Sequence, residues 1–182
     1  MESAGYTFFP TSIGECGIAW STRGIIGLGL PEANPRLMRS RFARRYSGCA
    51  EQAPPEYVHR VMTAVVGHLE GNNRDLAAFP IDLEGVPDFE RRVYEAARTI
   101  PAGSTMTYGD IATAIDAPGA AQAVGRALAA NPIALLVPCH RVVAAGGKIG
   151  GFSAGGGATT KRRILRIEGS EMGAAQETLF EA

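Results

Sequence analysis

The chain has 182 residues, of which 46% are apolar and 20% charged, and its 18 basic and 18 acidic side chains cancel. That length holds one domain or two small ones, with ordinary globular composition. No apolar run reaches the ~20 residues of a membrane span, and no basic-then-apolar segment opens the chain, so a membrane protein or a secreted one is not expected. Cys16, Cys49 and Cys139 are too few and too scattered for a disulfide framework, which fits a reducing cytoplasm. The charge is uneven. Between Arg91 and Gly169 ten Lys or Arg stand against four Asp or Glu, a balance of +6, and the rest of the chain carries −6. Such asymmetry hints at a polyanionic partner, although an unevenly charged solvated surface reads the same way.

The first ten residues read as a poorly ordered start or an edge segment. Two strands are expected over Thr11–Ser21 and Gly24–Leu30, joined by a turn, with Ile18, Trp20, Ile25, Ile26 and Leu28 in the core. Asn34-Pro35 starts a helix, with Asn as cap and Pro at the first position. Its five arginines, Arg36 to Arg45, read as a solvated face in preference to a nucleic-acid face. Pro54-Pro55 opens a second helix through Glu70, with Val58, Val61, Met62, Val65 and Leu69 at helical spacing, and Gly71 ends it. His59 and His68 have no metal-ligand spacing and read as surface or packing residues. A short strand over Phe79–Leu83 follows, and Gly85-Val86-Pro87 reads as a domain boundary.

The second half is mainly helical. Asp88 is expected to cap a helix running to Arg98, and Thr107 one from Tyr108 to about Ile115. A turn at Ala117-Pro118-Gly119 leads to a helix ending near Ala130, so two short helices form a helix-turn-helix candidate. The last of these buries Ala120, Ala123, Val124, Ala127 and Leu128. It shows small side chains together with Gln122 and Arg126 on its other face, which suits either close helix packing or close approach to a partner. Asn131-Pro132 stops it.

Ile133–Val137 reads as a buried strand, and it delivers Pro138-Cys139-His140-Arg141-Val142-Val143. In a regular strand Cys139 and His140 would point to opposite faces, so they cooperate only if the backbone turns or a third group bridges them. A hairpin turn at Ala145–Lys148 and a glycine-rich loop over Ser153–Gly157 follow. The final helix runs from about Thr159 to Ile167, and Ile164 and Leu165 place Glu168 on its inner face. A carboxylate turned inward needs a partner, and His140 is the candidate. Imidazole oriented by a carboxylate can take the proton of a thiol, so Cys139, His140 and Glu168 could form a relay through a bound water. No cofactor or metal motif is present.

The hexapeptide and its surroundings, from Val86 to about Gly169 and more loosely back to Thr11, resemble the O6-alkylguanine-DNA alkyltransferases. The resemblance implies an N-terminal α/β domain over 1–84, with a small antiparallel sheet of ribonuclease H-like type. It implies a mostly α C-terminal domain over 85–169 with a winged helix-turn-helix, and a tail over 170–182. The activity implied is direct, irreversible transfer of an alkyl group from O6-alkylguanine in double-stranded DNA to the protein's own cysteine, by a monomer without cofactor. Cys139, His140, Glu168 and Tyr108 match catalytic positions. Val142, Ser153, Phe152 and Asn131 match the base pocket and its hinge. Gln122, Ala123 and Arg126 match the DNA-facing set, on a helix that in the family enters the minor groove, about 6 Å wide; Arg141, counted with the DNA-binding residues, matches a structural arginine near the site.

This sequence departs from the family pattern in three places: Gln122 where an arginine is usual, Phe152 where a tyrosine is common, and a longer loop from Ser153 to Lys161. Three other functions remain in view. A non-catalytic sensor of alkylated DNA would lack the cysteine that is present here. A helix-turn-helix regulator with a reactive cysteine would carry a separate regulatory domain. A thiol hydrolase would need an oxyanion site that the sequence does not reveal.

Overall fold

The computed structural model describes residues 4–174. The chain forms two compact units: one takes in residues 4–85, 132–136 and 154–156, the other 86–131, 137–153 and 157–174.

The first unit is built on a four-stranded sheet in the order β3-β2-β1-β4. β1 (Gly5–Thr11) pairs antiparallel with β2 (Gly14–Trp20), and β2 pairs antiparallel with β3 (Ile25–Gly29). The two-residue strand β4 (Ala50–Glu51) joins β1 in parallel, so the sheet is mixed where an antiparallel one was expected. The start of the chain also differs from expectation. Gly5–Thr11 lies inside the sheet because Tyr6 and Phe9 are buried there, while residues 1–3 lie outside the described ones.

Helix α1 (Pro35–Arg45) starts as its sequence dictates, with the Asn34 side chain accepting from the Leu37 N–H at 3.1 Å. Met38, Phe42 and Tyr46 pack with Tyr6 and Ala19. The approach is close because β3 carries Gly27, where a Cβ would overlap the Tyr46 hydroxyl. Helix α2 (Glu56–Gly67) buries Val58, Val61 and Val65 and runs into a π-helical turn, His68–Asn72, within which Gly71 leaves helical geometry at φ +93°.

Two expected strands are absent. Around 79–83 only Ile81 bridges to Ile25, because Pro80 has no N–H to donate and Asp82 turns to Ser21 and Arg23. In 133–137 every residue is buried, but only isolated bridges form, Ile133 pairing with Leu28, and Leu135 breaks the extended run at φ +67°.

In the second unit, α3 (Asp88–Arg98) begins directly after Pro87. Asp88 is its first residue and makes no side-chain cap, although its charge suits the positive end of the helix. Helix α4 (Tyr108–Ala114) opens on a reciprocal cap between Thr107 and Asp110. A turn with Gly119 at φ +85° leads to α5 (Ala121–Ala129). α5 buries Val124, Ala127 and Leu128, and the buried Tyr94 of α3 donates its hydroxyl to the Ala127 carbonyl at 3.0 Å. A two-stranded parallel pair, β5 (Met106–Thr107) with β6 (Val142–Val143), sits in this unit. Helix α6 (Gly157–Ile167) and the short α7 (Glu171–Ala174) complete it. Of the expected tail, residues 175–182 lie outside the described ones. Among the described residues no helix is long and apolar enough to cross a membrane.

Candidate active site

Cys139 opens a single 3₁₀ turn, Cys139–Arg141, between Pro138 and β6. The strand ending expected here is thus replaced by a turn. With about three residues per turn, successive side chains are rotated by ~120°, so Cys139 and His140 are not forced to opposite faces. Pro138 loses nothing by lacking an N–H, and its carbonyl accepts from the Arg141 N–H at 2.9 Å. All three residues of the turn are buried.

Glu168 follows α6 and is 2% exposed. Its Oε1 accepts from His140 Nε2 at 2.8 Å and from Arg141 Nη2 at 2.8 Å, and its Oε2 accepts from Arg141 Nε at 3.0 Å. Arg141 also donates through Nη1 to the Ile100 carbonyl at 2.6 Å. An ion taken from water costs several kcal/mol unless paired and hydrogen-bonded, and this carboxylate has both kinds of partner. Of the two readings of Arg141, the arrangement corrects the DNA-binding one and agrees with the structural one: the residue is buried and its guanidinium is committed to Glu168 and Ile100.

A mostly apolar cleft of about 590 Å³ opens at Cys139. Tyr108, Gln122, Gly125, Leu128, Ala129, Phe152 and Ser153 line it. The structure therefore brings Cys139, Tyr108, Gln122, Phe152 and Ser153 to one cavity. Ala123 is half-buried and Arg126 exposed on α5, and neither lines the cleft. Asn131 donates through Nδ2 to the Val137 carbonyl at 3.0 Å, and Ser153 Oγ donates to the Ala129 carbonyl at 2.8 Å. The Tyr108 hydroxyl lies 3.5 Å from the Gly151 carbonyl. A Cβ on Gly150 would stand 3.1 Å from that hydroxyl, closer than ordinary contact, so a side chain there would press on the ring.

Burial pushes the Cys139 thiol above its ordinary pKa, against the opposing pull of the Asn131 side chain, the Lys161 charge and the N–H groups of Cys139 and His140. The resting sulfur is accordingly a protonated thiol that needs a base. Burial, with the Cys139 charge, also raises the Tyr108 phenol. Cys16 in the first unit is pushed up to about 12 by burial.

Sequence reasoning missed Lys161. It is fully buried, and its Nζ donates to the carbonyls of Val142 at 2.6 Å and Gly151 at 3.1 Å. The signal was present. Lys161 precedes Ile164 and Leu165 by three and four residues, which puts it on the buried face of α6 with Glu168.

Comparison with known proteins adds an independent line. The family model for the DNA-binding domain of 6-O-methylguanine DNA methyltransferase matches residues 88–170. A methylated-DNA--protein-cysteine methyltransferase of Mycobacterium tuberculosis (strain H37Rv) is 52% identical over 101 residues, 56% of this chain and 59% of the relative. The matched stretch thus spans less than two thirds of that relative's length. A protein of the same name from Methanothermobacter thermautotrophicus is 30% identical over 155 residues, 85% of this chain and 80% of the relative. The crystal structure of M. tuberculosis OGT in complex with DNA superposes with a TM-score of 0.70 at 34% identity, covering 91% of this chain and 92% of that one.

Proposed function

Because the chain belongs to the 6-O-methylguanine DNA methyltransferase family, we propose that it repairs DNA by moving an alkyl group from O6 of guanine onto its own Cys139, once per molecule. The observation that carries this reading is the placement of Cys139 at an apolar cleft, next to an imidazole that a buried carboxylate holds at 2.8 Å.

The chemistry follows from the side chains. Glu168 accepts from Nε2 of His140, so the other ring nitrogen, Nδ1, takes the thiol proton through a bridging water. Glu168 balances the imidazolium that forms. The thiolate attacks the alkyl carbon: the S–C bond forms and the C–O6 bond breaks, leaving the guanine with a negative charge. Tyr108 gives that base a proton. The phenolate then recovers a proton and the imidazolium releases one, so none is gained or lost overall. The thioether has no easy return to thiol, which makes the protein its own consumed acceptor.

The target atom is out of reach in a stacked duplex, so the nucleotide is flipped into the cleft at a cost of a few kcal/mol. In this reading α4 and α5 act as the helix-turn-helix of a winged domain, and α5 enters the minor groove. Gln122, Ala123 and Arg126 face the DNA. Val142, Phe152 and Ser153 form the base pocket, and Asn131 is the hinge between α5 and the cysteine turn. The first unit is a ribonuclease H-like support. The protein acts as a monomer in the cytoplasm, where its thiol stays reduced.

Mass spectrometry after incubation with O6-methylguanine duplex DNA tests the proposal. One methyl group should appear on Cys139, and Cys139→Ala should abolish transfer while retaining DNA binding. Methyl on Cys16 or Cys49, or several turnovers per molecule, would sink it.

A further inference from the structure

The first unit holds a cleft that alkyl transfer does not use. Helix α2 turns Val58, Val61 and Val65 inward, so Glu56, His59, Arg60 and Thr63 fall on its outer face. The 3₁₀ turn Leu76–Ala78 runs beside that face. Its start is fixed by the Asp75 carboxylate, which accepts from the Ala77 N–H at 3.0 Å. Between the two lies a cavity of about 480 Å³, with Arg60, Thr63, Arg74 and Phe79 in its wall. A second cavity of about 240 Å³ continues from it, since Arg60 and Phe79 line both, and ends at Tyr57 and Arg23. Such a space falls in the ~300–1,000 Å³ range of small-molecule sites.

The polar groups around it divide into engaged and available ones. Arg23 is paired with Asp82 at 3.1 Å and with Glu84, and the Tyr57 hydroxyl donates to the Ser21 carbonyl at 2.6 Å. Arg60 stands 3.7 Å from Glu56 with both side chains mostly exposed, so that pair holds weakly. The exposed guanidinium of Arg74 meets no carboxylate among the described residues. Arg60 and Arg74 can therefore take an anion, in the forked geometry that suits phosphate. Glu56 and Asp75 also edge the cleft, and a bare phosphate would meet their repulsion. A nucleotide avoids it, with phosphate on the guanidiniums, the base against the Phe79 ring, and the amino edge of the base toward a carboxylate.

We propose that this cleft binds a nucleotide whose base carries an amino group, held by Arg60, Arg74 and Phe79. The occupant is a free mononucleotide or one nucleotide of a single strand, since both present the same phosphate and base. Residues of the first unit alone make the site, so it is independent of Cys139 and of the alkyl-transfer reading.

Chemical shifts of the isotope-labelled full chain test this, because they report which residues a ligand touches. Adenosine monophosphate should shift the amides of His59, Thr63 and Arg74 and give cross-relaxation between base protons and the Phe79 ring. Ribose phosphate and inorganic phosphate should bind at least about tenfold more weakly, since neither has a base to stack. Arg60→Gln and Arg74→Gln remove exposed charges without touching the core, and each should weaken binding about tenfold by loss of a charge-assisted hydrogen bond. A single-stranded oligodeoxyadenylate identifies the source. Shifts of the same amides at lower concentration than the mononucleotide needs assign the site to single strands, and shifts with the mononucleotide alone assign it to free nucleotides. No shift at these residues with either probe overturns the proposal. Equal binding of inorganic phosphate, or undiminished binding in Arg74→Gln, overturns it as well.

Discussion

Glu168 and Arg141 are joined by two parallel hydrogen bonds, Nη2 to Oε1 at 2.8 Å and Nε to Oε2 at 3.0 Å, in a place closed to water. The permanent guanidinium charge favours the ionised carboxylate, which is the state needed to hold His140 as it takes a proton.

Glu168→Gln should therefore fail in two measurable ways. Transfer should slow by about a hundredfold or more, the usual worth of general-base assistance. Denaturant unfolding should show a loss of about 3–5 kcal/mol, because Arg141 is left as a buried charge without its counter-ion. A stable variant with a rate within about threefold of the parent would remove Glu168 from the relay.

Gly150→Ala tests the seat of Tyr108. Gly150 has φ +77°, and a Cβ there would crowd the Tyr108 hydroxyl at 3.1 Å and the Ala144 nitrogen at 3.3 Å. Strain of about 1–2 kcal/mol is expected in thermal unfolding. Displacement of the phenol should cost about tenfold to a hundredfold in single-turnover transfer. A variant that loses stability but keeps the parent rate would show that Tyr108 does not need this position.

Lys161 gives a pH signature. Its folded pKa of about 8 lies below the ordinary 10.5, so between these values the unfolded chain binds more protons than the folded one. Stability then rises with pH through that window, and the cost of burying the charge is present in full below about 8. Unfolding free energies of parent and Lys161→Met, measured from pH 7 to pH 10, should diverge in slope, the parent gaining relative to the variant. Parallel curves would mean that the lysine titrates normally.

Gln122→Arg addresses the departure from the family pattern. Gln122 is exposed on α5 and lines the cleft. As an uncharged, shorter side chain it should hold the space of a flipped nucleotide less well. Duplex repair by the parent should lag behind repair in single strands, where unstacking costs less. The substitution should speed the duplex reaction and leave reaction with a free base analogue unchanged. An unchanged duplex rate would mean that position 122 does not fill the vacated stack.

The features legible in the sequence were those set by local rules. The Asn34 cap, the Thr107 cap of α4 and the inward turn of Glu168 follow from neighbours three or four residues away. The places where reading failed depend on distant partners. Ile133–Val137 is apolar enough for a strand, yet Leu135 leaves the extended region and only isolated bridges form. Nothing local distinguishes the 3₁₀ turn at Cys139 from a strand end, and nothing local names Ile100 as a partner of Arg141. Lys161 drew no reading of its own, although its spacing from Ile164 and Leu165 puts it on the apolar stripe of α6.

The Arg141 contacts have a consequence for amide hydrogen exchange. Through Arg141 the cysteine turn is tied to Ile100 beyond α3 and to Glu168 beyond α6. The turn cannot open by itself without stranding a guanidinium and a carboxylate, so its opening requires the ends of both helices to come apart as well. Regions of this kind belong to the highest-energy cooperative unit of a domain, unlike the loops that usually bear reactive groups. The backbone amides of His140 and Arg141 should consequently exchange as slowly as the core of α3, while those of the loop at Gly155 and Gly156 exchange orders of magnitude faster.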